Sequence, residues 1–211
     1  MQIGVFCDIV LKELGYNTTE KKLTRRAIIV QADAIRTEQI GLLFTGGVIA
    51  TQTSRIGITK SAEINDAYYI SKTAPVAFDP IRARFYATMP TDRLSFTSNS
   101  GIRMIRGAQD NTGGYFIEQK SGSGAAYGLL ESAQLAGNVG FEMEGNTIWF
   151  NNMLPDTYQN VLITYLPTLI GMNETDILPV EYPEQLIRDT FRAFVPQKEM
   201  PSNFTTDNVS E

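Results

Sequence analysis

The sequence predicts an α+β protein: a helical bundle built from N- and C-terminal helices, with an inserted antiparallel β-region. Two changes of pattern carry this. Residues 3–14 and the stretch from Pro183 repeat apolar positions at helical spacing. Between them, residues 74–173 hold short aromatic and β-branched runs separated by Gly, Asn, Ser and Asp, the pattern of strands and turns. The expected divisions are 1–73 (helices and a connector), 74–173 (β-region), 174–198 (closing helix) and 199–211 (a loose polar tail).

The first helix places Ile3, Phe6, Cys7, Val10, Leu11 and Leu14 on one stripe, and Gly15 suits a left-handed C-terminal cap. Cys7 lies on that stripe and reads as a small core hydrophobe rather than a reactive thiol. Asn17 and Glu20 have capping-box spacing, which predicts a second helix over about 20–43. Its expected stripe is Leu23, Ala27, Val30 and Ala34, widened by Ile28, Ile35 and Leu42, with "TGG" at 45–47 as the stop. Residues 48–73 fit no single pattern; "SAEINDAYYISK" suits a short helix.

From Ala74 on, "RARFYATMP", "GIRMIRGA", "GYFIEQK", "GFEME", "TIWFNN" and "VLITYLP" read as strands of a small antiparallel sheet. Gly145-Asn146 as a two-residue turn sets Met143 opposite Ile148 and Phe141 opposite Phe150, all on one buried face. Glu142, Glu144, Thr147 and Trp149 then share the other face. In the last helix Pro183 stands at the first turn. Leu186, Ile187, Thr190, Phe191 and Phe194 form its apolar face, and Glu184 precedes Arg188 by one turn as an ion pair.

Composition narrows the function. The 211 residues are 43% hydrophobic and 19% charged, with a net charge of −5, so there is no basic footprint for nucleic acid or an anionic membrane. No apolar run approaches the ~20 residues of a membrane span. The opening "MQIGVFCDIVLKELGY" does not resemble a secretory signal, which makes the cytoplasm the expected folding compartment. There is no histidine and one cysteine, which removes His-based catalysis, His metal ligands, internal disulfides and Cys-based zinc sites. No catalytic residue, cofactor or metal is expected.

The remaining motifs are bland. "GITKS" at 57–61 lacks the glycine a phosphate loop needs before its lysine, and "SGSGAAYG" at 121–128 reads as a flexible loop. Glu142 and Glu144 suit a solvated face better than a catalytic carboxylate pair. Asp79, Asp92 and Asp110 lack calcium-loop spacing. Asn17, Asn173, Asn203 and Asn208 begin N-x-S/T matches that carry no meaning without secretion. Arg82 with Arg84, and Arg103 with Arg106, suit subunit contacts better than DNA in an acidic chain. Arg188 and Arg192, on the polar face of the last helix, complete the candidate interface residues.

The series "RFYATMPTDRLSFTSNSGIRMIRGAQDNTGGYFI", "FEMEGNTIWFNN", "VLITYLP" and "ILPVEYPEQLIRDTFRAFVP" resembles the neck and tail ring proteins of short-tailed bacteriophages, in particular crAss-like phages. The likeness spans residues 3–201 in order and texture. It implies terminal helices that pack together around an inserted β-region. It implies a homo-oligomeric ring of about twelve copies around the DNA channel, against a portal or neighbouring tail rings. DNA would pass an acidic lumen without specific binding. The implied location is the virion neck or tail, and the host cytoplasm during assembly. Another virion component, such as a head-completion or tail-terminator protein, and a monomeric protein-binding module are the alternatives.

Overall fold

A computed structural model describes residues 1–15, 23–44, 65–95, 101–109, 116–118, 139–154 and 157–195. The chain divides into two compact units, one from Met1–Gln39 with Asn173–Glu211 and one from Ile40–Met172.

In the first unit, α1 (Ile3–Glu13) buries Ile3, Phe6, Cys7, Val10 and Leu11, the stripe expected from sequence. Gly15, at φ +66°, donates to the Lys12 carbonyl and ends the helix in the left-handed conformation. Gln2 offers no side-chain cap at the other end. The orphan N–H groups of the first turn donate instead across the chain, Ile3 to the Asp176 carbonyl at 3.0 Å and Gly4 to that of Glu174 at 2.8 Å. A Cβ on Gly4 would stand 3.3 Å from that same Glu174 oxygen, so glycine permits the approach. Arg25 adds side-chain ties to Asp8 (2.6 Å) and Glu174. α3 (Pro183–Phe194) buries Leu186, Ile187 and Thr190, with Phe191 and Phe194 half-buried beside them. Its ion pair is Arg192–Asp189 at 3.9 Å, one turn apart, in place of the expected Glu184–Arg188.

α2 (Arg25–Phe44) departs from expectation at its start and in its face. Thr24 caps it, its hydroxyl accepting from the Ala27 N–H at 3.2 Å; the Asn17–Glu20 signal lies outside the described residues. The buried line is Ile28, Ala32, Asp33, Arg36 and Ile40, while Val30 and Leu42 are exposed. Arg36 is fully buried. Its Nε donates to the Pro179 carbonyl at 3.0 Å, and its guanidinium stands 4.0 Å from Asp33. That long-range acceptor, invisible in a periodicity reading, turns the helix toward its charged face.

The second unit is a seven-stranded sheet in the order β3-β7-β1-β2-β6-β5-β4. The strands are β1 (Ile70–Asp79), β2 (Arg84–Thr88), β3 (Ile102–Gly107), β4 (Ile117–Glu118), β5 (Gly140–Glu144), β6 (Thr147–Asn151) and β7 (Asn160–Tyr165). A single 3₁₀ turn, Asp66–Tyr68, precedes β1. β1 begins within the stretch whose pattern suited a helix. Residues 70–75 of β1 pair with β7 and residues 76–79 with β2, so one strand serves two halves of the sheet. The change of partner falls at Pro75, which has no N–H to donate. The sheet curls into a half-barrel. The Phe116 N–H, just before β4, donates to the Ile105 carbonyl of β3 at 2.8 Å, so the two ends of the sheet touch. Ala74, Ala87, Ile105, Phe116, Phe141, Ile148, Phe150, Val161, Ile163 and Tyr165 pack together as the core.

This architecture corrects the expected helical bundle with its inserted antiparallel β-region. The described residues form three helices and a larger, mixed, curled sheet. Among the described residues α1 packs along α3. The sheet is mixed because β4 runs parallel to β5, and the long connection from Glu118 to Gly140 permits that crossover. The 141–150 hairpin has the expected register, Phe141 opposite Phe150 and Met143 opposite Ile148, around Gly145 at φ +59°. Phe141, Ile148 and Phe150 are buried and Met143 is half-buried.

Arg36→Ala is expected to lower stability by about 3–5 kcal/mol in urea unfolding, because it removes a fully buried side chain whose Nε donates to the Pro179 carbonyl. Burial, and secondarily the charge of Glu174, raises the Cys7 thiol to about 11. Cys7 is therefore expected to resist alkylation at neutral pH in the folded protein and to react at an ordinary rate once unfolded.

Candidate assembly surface

The outer face of β2, β6 and β5 concentrates charge and aromatic area. Strand alternation sends Arg84, Tyr86, Trp149, Glu142 and Glu144 to this face and Phe85, Ala87, Ile148, Phe150 and Phe141 to the core. The cross-strand line Tyr86–Trp149–Glu142 follows directly from the register. Trp149 and Tyr86 rings lie 5.4 Å apart at 45°. The Arg82 guanidinium stacks 4.4 Å above Trp149, and that of Arg84 lies 5.7 Å from it. Trp149 is 7% exposed although it points away from the core, because arginine stems and a tyrosine roof it.

Each of these arginines has a carboxylate two strands away. Arg82 pairs with Glu144, and Arg84 with Glu142. The expected solvated glutamates are thus matched one to one with the expected interface arginines. The pairing depends on β2 lying beside β6, a long-range neighbour relation that no local pattern displays. The Arg82 hydrogen bond, followed by its charge, holds the Glu144 carboxyl below its ordinary range. Since Glu144 gains its partner by folding, the contribution exists above the ordinary carboxylate pKa and fades as pH falls through the lowered folded value. Arg84 is more enclosed, and its Nε and one terminal nitrogen are buried without a partner.

The β1–β2 turn rises beside this ladder. Asp79 Oδ1 accepts from the Ile81 N–H at 2.8 Å and the Arg82 N–H at 3.2 Å. Pro80 fixes the first step and Ala83 takes φ +51°, a left-handed conformation that costs a non-glycine residue about 1–2 kcal/mol. The result presents Ile81, 93% exposed, at the tip. Phe78, on the core-facing side of β1, stacks against Phe85 at 5.0 Å but remains 52% exposed because the core stops short of it.

The other arginines are dispersed. Arg103 pairs with Asp66 and stacks over Tyr69 at 5.2 Å, beside a cleft of about 660 Å³ that Ser71, Thr164 and Glu118 help to line. Arg106, on β3, is half-buried with its Nε enclosed and unpartnered. Arg188 and Arg192 lie exposed on α3 in the other unit. Among the described residues no group of His, Cys, Asp and Glu is spaced to hold a metal ion, and no helix is long and apolar enough to cross a membrane. "GITKS", "SGSGAAYG", "TGG", Asp110 and the segment 199–211 lie outside the described residues.

Ala83→Gly is expected to raise stability, by up to about 1 kcal/mol, because the turn's left-handed step becomes unstrained. Trp149→Ala should cost about 3–5 kcal/mol in the same unfolding assay, as for other buried large-to-small changes. Arg82→Gln, on an exposed pair, should change stability at neutral pH little and weaken its dependence on Glu144 protonation, read as a smaller fall in the urea midpoint on acidification, while the charge of Arg84 keeps part of it. No protein-family model matches the chain, and no curated protein matches it.

Proposed function

We propose that the chain is a structural virion protein, a ring subunit of the neck or tail of a short-tailed phage that surrounds the DNA channel and serves assembly and genome ejection. The observation that carries this reading is the ordered resemblance over residues 3–201. Its quoted segments include β2, β3, the β5–β6 hairpin, β7 and α3, together with connections between them. The implied helical bundle is not carried forward, so in this reading the curled sheet supplies the rigid body of the subunit. The net charge of −5 suits a wall along which DNA slides without adhering. The missing histidine suits a role without catalysis.

The partners in this reading are further copies of the chain, about twelve in a closed ring, and a portal or adjacent ring. The test is the virion. Reconstruction and quantitative mass spectrometry of particles should find the chain in the neck or tail at ring stoichiometry. Its absence there, or its presence at one or two copies, overturns the reading. Purified protein should also fail to retard duplex DNA at about micromolar concentration and physiological salt, where basic DNA-binding domains bind measurably.

A further inference from the structure

The cover over Trp149 is made of charged side chains. The indole lies on the outer face of the sheet, yet it is 7% exposed. The Arg82 guanidinium is 4.4 Å above its ring and that of Arg84 is 5.7 Å from it, with the Tyr86 ring 5.4 Å away on the neighbouring strand. Two positive charges over one aromatic ring repel each other, and a cation–π contact at a partly exposed site restrains either one only weakly. What holds them there is a carboxylate apiece on β5, Glu144 for Arg82 and Glu142 for Arg84.

Among the described residues the ionisable groups facing this cover come from three elements. β2 and the turn before it supply Arg82, Arg84 and Tyr86, β5 supplies Glu142 and Glu144, and β1 supplies Asp79, which stands opposite Arg84 in the ladder and adds to the field at Arg82. β6 itself carries no charged residue. With both glutamates ionised the two arginines are balanced. With both neutral, two cations share Asp79 alone, whose Oδ1 already accepts from the Ile81 and Arg82 N–H groups. The closed cover also carries a cost, since Arg84 Nε and Nη2 are buried without a partner and opening would give them water. The strands do not depend on the cover. Their register is set by backbone pairing, and Phe141, Ile148 and Phe150 pack on the opposite face.

We propose that Glu142 and Glu144 are a paired latch on an arginine shield over Trp149, and that loss of their charge opens the shield and bares the indole while the sheet stays folded. The bond to Arg82, followed by that arginine's charge, holds the Glu144 carboxyl below its ordinary range. Its half of the latch is therefore closed at neutral pH and opens as pH falls through the lowered folded value. The device uncovers a tilted Tyr86–Trp149 pair that is otherwise roofed. It is a property of the single subunit, independent of whether the chain joins a ring.

Trp149 is the only tryptophan of the chain, so its fluorescence reports on the shield directly. The test compares the full chain with Glu142→Gln, Glu144→Gln and the double variant at neutral pH, glutamine keeping the shape of glutamate without its charge. Acrylamide, an uncharged quencher, should reach the indole of the double variant at least about twofold faster than in the parent, after correction for excited-state lifetime and with the far-UV spectrum unchanged. Each single variant should give the lesser part of that gain, because the arginine still latched continues to cover the ring. In the parent, acidification should raise quenching before far-UV ellipticity is lost, and this titration decides the matter if the double variant does not fold. The proposal is overturned if the folded double variant is quenched no faster than the parent, or if one single variant gives the whole gain. It is equally overturned if exposure of the indole and loss of ellipticity coincide on acidification.

Discussion

One strand holds the β-unit together. β1 gives its first six residues to β7 and its last four to β2, so it joins the two halves of the sheet, which also meet at their far ends through the Phe116 N–H on the Ile105 carbonyl. Pro75 at the handover cannot donate, and the adjacent Val76 N–H resumes the ladder by bonding to the Gln159 carbonyl at 2.9 Å. The curl follows from this handover, because a strand that changes partner midway must bend and twist the two halves relative to each other. The curl in turn brings Phe116 to Ile105 and encloses the core. What the outer face displays is therefore set by which β1 residues fall on either side of the proline.

The outer face shows how a sheet protects an aromatic residue that its own core does not cover. The exposed ion pairs contribute little individually. Their value lies in geometry: each arginine is held by a glutamate on β5 while its planar head lies over Trp149 on the strand between. Removing a glutamate frees an arginine to leave the indole, so an interaction that is weak as electrostatics gates one that is strong as burial. Coupling of this kind makes the effects of Arg82, Glu144 and Trp149 non-additive.

What was legible in the sequence was local. The α1 stripe, the Pro183 start of α3 and the 141–150 register could be read because the deciding residues lie within a few positions of one another. What was missed depended on distant partners. β1 contains a proline and follows a helix-like stretch, and its strand identity comes from β7 and β2, far along the chain. The face of α2 is set by the Pro179 carbonyl, which draws Arg36 inward and leaves Val30 and Leu42 outside. The parallel β4–β5 pair is two residues long and carries no periodic signal. The candidate surface divided in the same way. The arginines were visible as alternating charges, but their partners, and the indole beneath Arg82, required the order of strands.

The two chain ends of the first unit illustrate the same dependence at the level of caps. α1 has no capping side chain, and its first amides are satisfied by carbonyls of Glu174 and Asp176. The Leu178 N–H returns a bond to the Met1 carbonyl at 2.9 Å, and Gln2 pairs with Ile177 as an isolated antiparallel bridge. Helix nucleation is unfavourable in isolation, and an uncapped eleven-residue helix lies near the lower limit of independent stability. α1 is thus stabilised by a segment synthesised more than a hundred and fifty residues later, at 174–178. Its formation is therefore coupled to the presence of residues 174–178.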